Sequence, residues 1–151
     1  MATQWIIWLA VGTHLFWGYL LLSHGEVVSW ITAIHFTISQ FGFSYQALGL
    51  TYCGVAIIAL VALFINDDRP LLRLGMMLPQ QFFLCVSLIG AFQAVRDSQF
   101  ADGVIRPRAF LAADQIPFGI MLTVGHTCAI LEPFVRSFMR KSKWSQPHGI
   151  P

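Results

Sequence analysis

Apolar residues fill four long stretches of this chain, and polar residues gather in the gaps between them. The stretches cover 5–22, 43–65, 74–95 and 117–138. Each is close to the roughly 20 residues that a helix needs to cross a hydrocarbon core of about 30 Å. Lipid offers no water to backbone amides, so a run of this kind is predicted to be helical throughout. The second run stops at Asn66-Asp67-Asp68-Arg69-Pro70, the third at Arg96-Asp97, and the fourth leads into the basic Arg140-Lys141-Ser142-Lys143.

The segment 27–41 follows a different rule. Val27, Ile31, Ile34, Ile38 and Phe41 recur at helical spacing, while Ser29, Thr32, His35, Ser39 and Gln40 fall mostly elsewhere around the wheel. This predicts a short amphipathic helix, lying at the membrane interface or docked into the mouth of the other helices. The alternative is a fifth, short span, which would invert the N-terminus relative to the rest. The fold expected is therefore all-α: a single domain over 1–151, an integral membrane four-helix bundle with a short amphipathic helix between the first two spans. An ordered loop over 97–116 is expected between the last two.

Composition strengthens the membrane expectation. Hydrophobic residues make up 56% of the 151 positions and charged residues 11%, with a mean hydropathy of +0.67. An average soluble domain carries about 25% charged residues, so this chain lacks the side chains for a polar skin. Apart from histidines, Glu26 is the sole acidic or basic side chain before Asp67. The net charge of +2 and the absence of a basic run with interleaved aromatics argue against a nucleic-acid partner. The first apolar run has no basic residues before it and no A-x-A site after it, so it is expected to stay in the mature protein as a span. Cys53, Cys85 and Cys128 all lie in apolar runs and form no C-x-x-C pair, which points to buried filler rather than a disulfide framework. Lysine and arginine bias gives orientation. Arg69, Arg73, Arg140, Lys141 and Lys143 share one side with both termini, against Arg96, Arg106 and Arg108 on the other, so both termini are expected in the cytoplasm.

Helices in lipid associate through close contact and hydrogen bonds, which small residues permit. Gly49 with Cys53, Gly90 with Ala94, and Gly125 with Ala129 are small pairs four apart, and Ala56, Ala59 and Ala62 form a small stripe. Pro79 interrupts the third run, and Gln80 and Gln81 follow it. They are expected to repair the interrupted helix or bond a neighbouring one; the alternative is a polar lining for a pore or ligand.

Four residues near the middles of the four runs could carry chemistry: His14, Cys53, Cys85 and His126. Imidazole and thiolate are ligands that tetrahedral zinc favours, and two histidines could be axial ligands of a haem. A metal or haem is thus an alternative to no cofactor, in which the cysteines fill space and each histidine makes an interhelical hydrogen bond. Glu132, Arg136 and Arg140 follow at intervals of four, with the acid N-terminal to the bases, the better orientation for a helical ion pair. A proton or cation site at Glu132 is the functional alternative. The connector 97–116 holds Asp102, Arg106, Arg108 and Asp114 among apolar residues, with Pro107 between the arginines. It is expected to form an ordered cap, either a self-satisfied ion network or a clamp for a lipid headgroup or partner.

No phosphate-binding loop, nucleophile elbow, zinc-protease motif or paired carboxylates occur. In general plan, with few charges, short loops and the basic tail Arg140 to Lys143, the chain resembles small bacteriophage membrane proteins, including multi-span holins. That resemblance implies oligomerisation in the inner membrane and timed permeabilisation. The expected function is non-enzymatic: a membrane protein that oligomerises or binds a membrane partner, with pore formation as one form of it. The alternatives are an accessory subunit holding haem or metal, and a small-solute or ion transporter using Gln80, Gln81 and Glu132.

Overall fold

In the computed structural model, which describes residues 4–28, 32–65, 69–100 and 107–144, the secondary structure is helical. The helices are α1 (Gln4–Val28), α2 (Thr32–Phe41), α3 (Tyr45–Leu63), α4 (Pro70–Phe100) and α5 (Pro107–Trp144). Four contain windows long and apolar enough to cross a membrane: Gln4–Gly25, Tyr45–Leu63, Pro70–Gln93 and Ile116–Arg136. These match the four apolar runs to within a few residues at their ends. Helix α2, at 10 residues, is too short to span.

Local chemistry sets several boundaries. Gly42 closes α2 in the left-handed region (φ 67°), and its N–H bonds the carbonyl of Ile38 at 2.9 Å, the terminus that glycine favours because it has no Cβ. Two residues later the Ser44 hydroxyl accepts from the N–H of Ala47 at 3.1 Å and caps the start of α3. The turn from α2 to α3 thus needs only Gly42, Phe43 and Ser44. Helix α1 bends at His24, whose φ and ψ of −140° and 37° leave the helical region. Helix α4 continues through Pro79, and α5 through Pro117 and Pro133.

The connector differs from the expected loop over 97–116. Helix α4 persists to Phe100, and α5 begins at Pro107, so Arg108 and Asp114 stand on helical backbone. Proline at the first helical position has no N–H to leave unpaired and has its φ already set, which favours a helix start at Pro107. Asp102 and Arg106 lie outside the described residues.

Packing contacts show that neighbouring helices run antiparallel. Gly25 of α1 meets Tyr45 of α3, and Gly18 meets Gly49 and Cys53. Likewise Gly119 of α5 meets Leu88 of α4, while Gly125 meets Ile6 of α1. Helix α3 also packs on α4, and α2 docks chiefly on α4. Ile34 and Thr37 of α2 are buried, Thr37 bonds the Tyr52 hydroxyl of α3, and Phe41 sets its ring 5.9 Å from Phe82 of α4. The alanine stripe is fully buried: Ala56, Ala59 and Ala62 join Ile7, Val11, Met77, Ala129 and Ile130 in one apolar cluster. A second cluster around Leu21, Leu48, Tyr52 and Phe83 lies towards α2.

The tightest crossing is between α1 and α3. A Cβ on Gly18 would lie 2.5 Å from the sulfur of Cys53 and 3.0 Å from the carbonyl oxygen of Gly49. A Cβ on Gly49 would lie 3.0 Å from the Gly18 carbonyl oxygen in return. The two backbones touch because neither residue has a side chain, so the Gly49–Cys53 pair is a packing seam whose partner is Gly18.

Candidate functional site

Two polar centres interrupt the apolar interior. The first joins α4 to α5. Gln80 and Gln81 are adjacent on α4, and His126 of α5 inserts its ring between their amides. Its Nδ1 lies 2.8 Å from Oε1 of Gln81 and its Nε2 lies 2.9 Å from Oε1 of Gln80. His126 and Gln80 are fully buried. Gln81 is held from its other end, where Nε2 donates to the carbonyl of Thr123 at 3.3 Å and approaches Sγ of Cys85 at 3.5 Å. That carbonyl also accepts the Thr127 hydroxyl at 2.8 Å.

Hydrogen-bond arithmetic constrains this centre. A neutral imidazole has one donor and one acceptor, and an amide exchanges its oxygen and nitrogen by a half-turn of its last torsion. Gln81 is fixed by its acceptors. The Nε2 of Gln80 has no partner, so the half-turn belongs to Gln80. Its NH2 then donates to Nε2 of His126, while Nδ1–H of His126 donates to Gln81. Both nitrogens of the ring are used, and the Gln80 oxygen is left without a partner in this arrangement.

The second centre lies among all five helices. A cavity of about 170 Å³ has apolar walls that include Trp17, Ile34, Leu84 and Leu122. Among its lining side chains, Thr13, His14, Trp17, Tyr52 and Ser87 carry polar atoms. Thr13 donates its hydroxyl to the carbonyl of Leu9 at 2.8 Å, and Nδ1–H of His14 donates to the carbonyl of Ala10 at 2.9 Å. Both bonds run back along α1 and fix these side chains on the cavity face. The His14 ring meets Tyr52 edge-on, with centroids 5.1 Å apart, and Tyr52 meets Phe83 in the same way at 5.5 Å. The Tyr52 and Ser87 hydroxyls are 3.4 Å apart.

The residues singled out in the sequence occupy separate settings, with His14 and His126 near enough to interact electrostatically. His126 is engaged at both nitrogens by the glutamines. His14 belongs to the cavity. Cys85 sits beside Gln81, and Cys53 packs against Gly18. No group of three or more His, Cys, Asp or Glu able to hold a metal comes together among the described residues. Of the two expectations for Gln80 and Gln81 beyond a polar lining, bonding to a neighbouring helix is the one realised. Glu132 and Arg136 form the expected ion pair one helical turn apart. Arg108 and Asp114 occupy the first turns of α5. Nothing in the spacing of the residues marks Tyr52 and Ser87. Both lie in apolar runs, and only the rotations of α3 and α4 bring them to the cavity that His14 faces.

No family model, curated protein or solved structure matches this chain.

Proposed function

We infer that this chain is a non-enzymatic, multi-pass membrane protein, a four-helix bundle with α2 docked at one end, that works by associating with further copies of itself or with a membrane partner. Two features support the bundle in a bilayer. The helices pack as successive antiparallel neighbours, and only 22–39% of each apolar window is buried inside the protein. The remaining surface includes Leu50, Ile57, Val61, Phe92, Val124 and Leu131, all exposed. An apolar exterior of that extent suits lipid or another apolar helix rather than water. Both termini then face the cytoplasm, with Arg69 and Arg73 at the start of α4 and Arg136 and Arg140 towards the end of α5.

The observation that carries association is three helical glycines on the outside. Gly12, Gly54 and Gly75 have open space where a side chain would stand, with no atom of another helix within 4 Å. Glycine inside a helix costs about 1 kcal/mol relative to alanine. Gly18, Gly25, Gly49 and Gly125 recover that cost through close packing within the chain; Gly12, Gly54 and Gly75 recover it only when another helix approaches from outside. The buried polar groups, by contrast, are turned inward on one another, as at His126, which favours binding over catalysis. A single copy is filled at its centre by Met77, Gln80, Leu48 and His126, so a pore in this protein is a property of an assembly.

Single-molecule photobleaching of labelled protein in lipid bilayers tests the reading. Discrete multi-step bleaching that falls towards single steps in Gly54→Leu and Gly75→Leu, with helical content unchanged, is expected. Single steps at every protein-to-lipid ratio, with nothing retained on purification in mild detergent, would defeat it.

A further inference from the structure

We propose that the cavity among the five helices is a binding site for a small, neutral ring compound carrying one hydroxyl group, of the phenol class. Size is the first argument. The cavity holds about 170 Å³, and an apolar protein cavity of about 150 Å³ is known to stay dry and accept benzene. One six-membered ring and one substituent fill the space.

Wall chemistry is the second. Leu84, Leu88, Ala91 and Leu122 present hydrocarbon, and Trp17 and Phe118 present aromatic surface. None of the described residues lining the cavity is acidic or a lysine or arginine. A charged ligand would lose its water and gain no counter-ion, which disfavours carboxylates and amines.

The polar groups then set the substituent. The Thr13 hydroxyl donates to the carbonyl of Leu9, and Nδ1–H of His14 donates to the carbonyl of Ala10. With Nδ1 carrying the proton, the neutral His14 ring has an acceptor at Nε2. The Tyr52 hydroxyl bonds Thr37 as well as Ser87, 3.4 Å away, and these hydroxyls can exchange donor and acceptor roles. The cavity therefore offers an acceptor on one wall and an adaptable hydroxyl pair on another. A ligand hydroxyl answers both, donating to His14 and accepting from Tyr52 or Ser87. A pocket of apolar walls with a few fixed polar groups is the usual form of a small-molecule site. The site lies within one copy, and the proposal holds whether or not copies associate.

The probe is 4-fluorophenol, with fluorobenzene as its hydroxyl-free counterpart, followed by fluorine NMR against protein in lipid nanodiscs. Wild-type protein is expected to give a saturable shifted signal with 4-fluorophenol, beyond the partitioning seen in empty nanodiscs. Fluorobenzene should bind about tenfold more weakly, the factor that one well-formed hydrogen bond supplies. His14→Phe should remove that preference. Ala91→Leu, which places a larger side chain in the cavity, should abolish saturable binding of both probes. Where His14→Phe fails to fold by circular dichroism, the probe comparison and Ala91→Leu decide the matter. Absence of saturable binding, equal affinity for the two probes, or unchanged binding in a folded Ala91→Leu protein each overturns the proposal.

Discussion

Gln80 of α4 holds its amide 2.9 Å from Nε2 of His126 on α5, with both side chains fully buried. This contact ties two long helices together at a depth where little else is polar. Its value is bounded. Interhelical hydrogen bonds in membrane proteins average about 0.6 kcal/mol and reach about 1.7. The Gln80–His126 pair should lie in the upper half of that range, because removing either partner strands a buried polar group. A double-mutant cycle of Gln80→Leu and His126→Phe, read by denaturant unfolding in bicelles, should give a coupling of about 1 kcal/mol. Additive effects of the two substitutions would show that the contact contributes no pairwise stability.

The α1–α3 crossing leads to a larger effect from a smaller change. An alanine at position 18 would meet the Cys53 sulfur at 2.5 Å and backbone atoms of α3 at 3.0 and 3.1 Å. Sulfur can rotate away, but the Gly49 carbonyl and the Cys53 amide cannot, so the helices must part. Overpacking of this kind costs about 1–3 kcal/mol. Gly18→Ala should therefore destabilise the isolated chain by about 2 kcal/mol, while Gly12→Ala, where nothing lies within 4 Å, should leave it equal or slightly more stable. Cys53→Ala combined with Gly18→Ala should recover part of the loss. Thermal unfolding of the purified protein in detergent distinguishes these outcomes.

The contrast between Gly18 and Gly12 also shows what a sequence can convey. The four apolar windows were legible because twenty consecutive apolar residues carry one strong, local signal. Helix α2 was legible from the spacing of Ile34 and Ile38, and both the alanine stripe and the Glu132–Arg136 pair from their intervals. Rotation about each helix axis is a different matter. Similar depth put His14, Cys53, Cys85 and His126 in one class, yet depth does not fix direction: Cys85 and His126 both meet Gln81, while His14 meets Tyr52 and Cys53 meets Gly18. The glutamines beside Pro79 suggested a local repair, but adjacent side chains point about 100° apart on a helix, and that spread lets both amides reach one imidazole. The cavity needed five helices placed together, so no segment could announce it.

Topology offers a test that needs no knowledge of contacts. Four crossings put both ends on one side, and the arginines at 69, 73 and 136 are expected to hold that side in the cytoplasm. A cysteine introduced at position 69 in a background lacking the native thiols should be reached by an impermeant maleimide only from the cytoplasmic face. One at position 102 should be reached only from the other face. Labelling of both positions from one face would show that α4, which lies between them, does not cross the bilayer.

The last prediction separates a structural carboxylate from a working one. Glu132 bonds Arg136 one turn along α5, where the side chains are 30% and 54% exposed. A pair that open to its surroundings contributes about 0.3–0.5 kcal/mol in a helix, and its arginine can extend along the helix towards the interface. Glu132→Gln should therefore lower stability by less than about 1 kcal/mol, less than Gly18→Ala. It should also leave the passive proton leak of proteoliposomes as it is in wild type. A proton or cation site at Glu132 makes the opposite forecast: a flux across proteoliposomes present in wild type and lost in Glu132→Gln at unchanged fold. Fluorescent pH indicators inside the vesicles would register that difference directly. Because the Glu132–Arg136 pair neutralises itself within a single helical turn, the two fluxes should match.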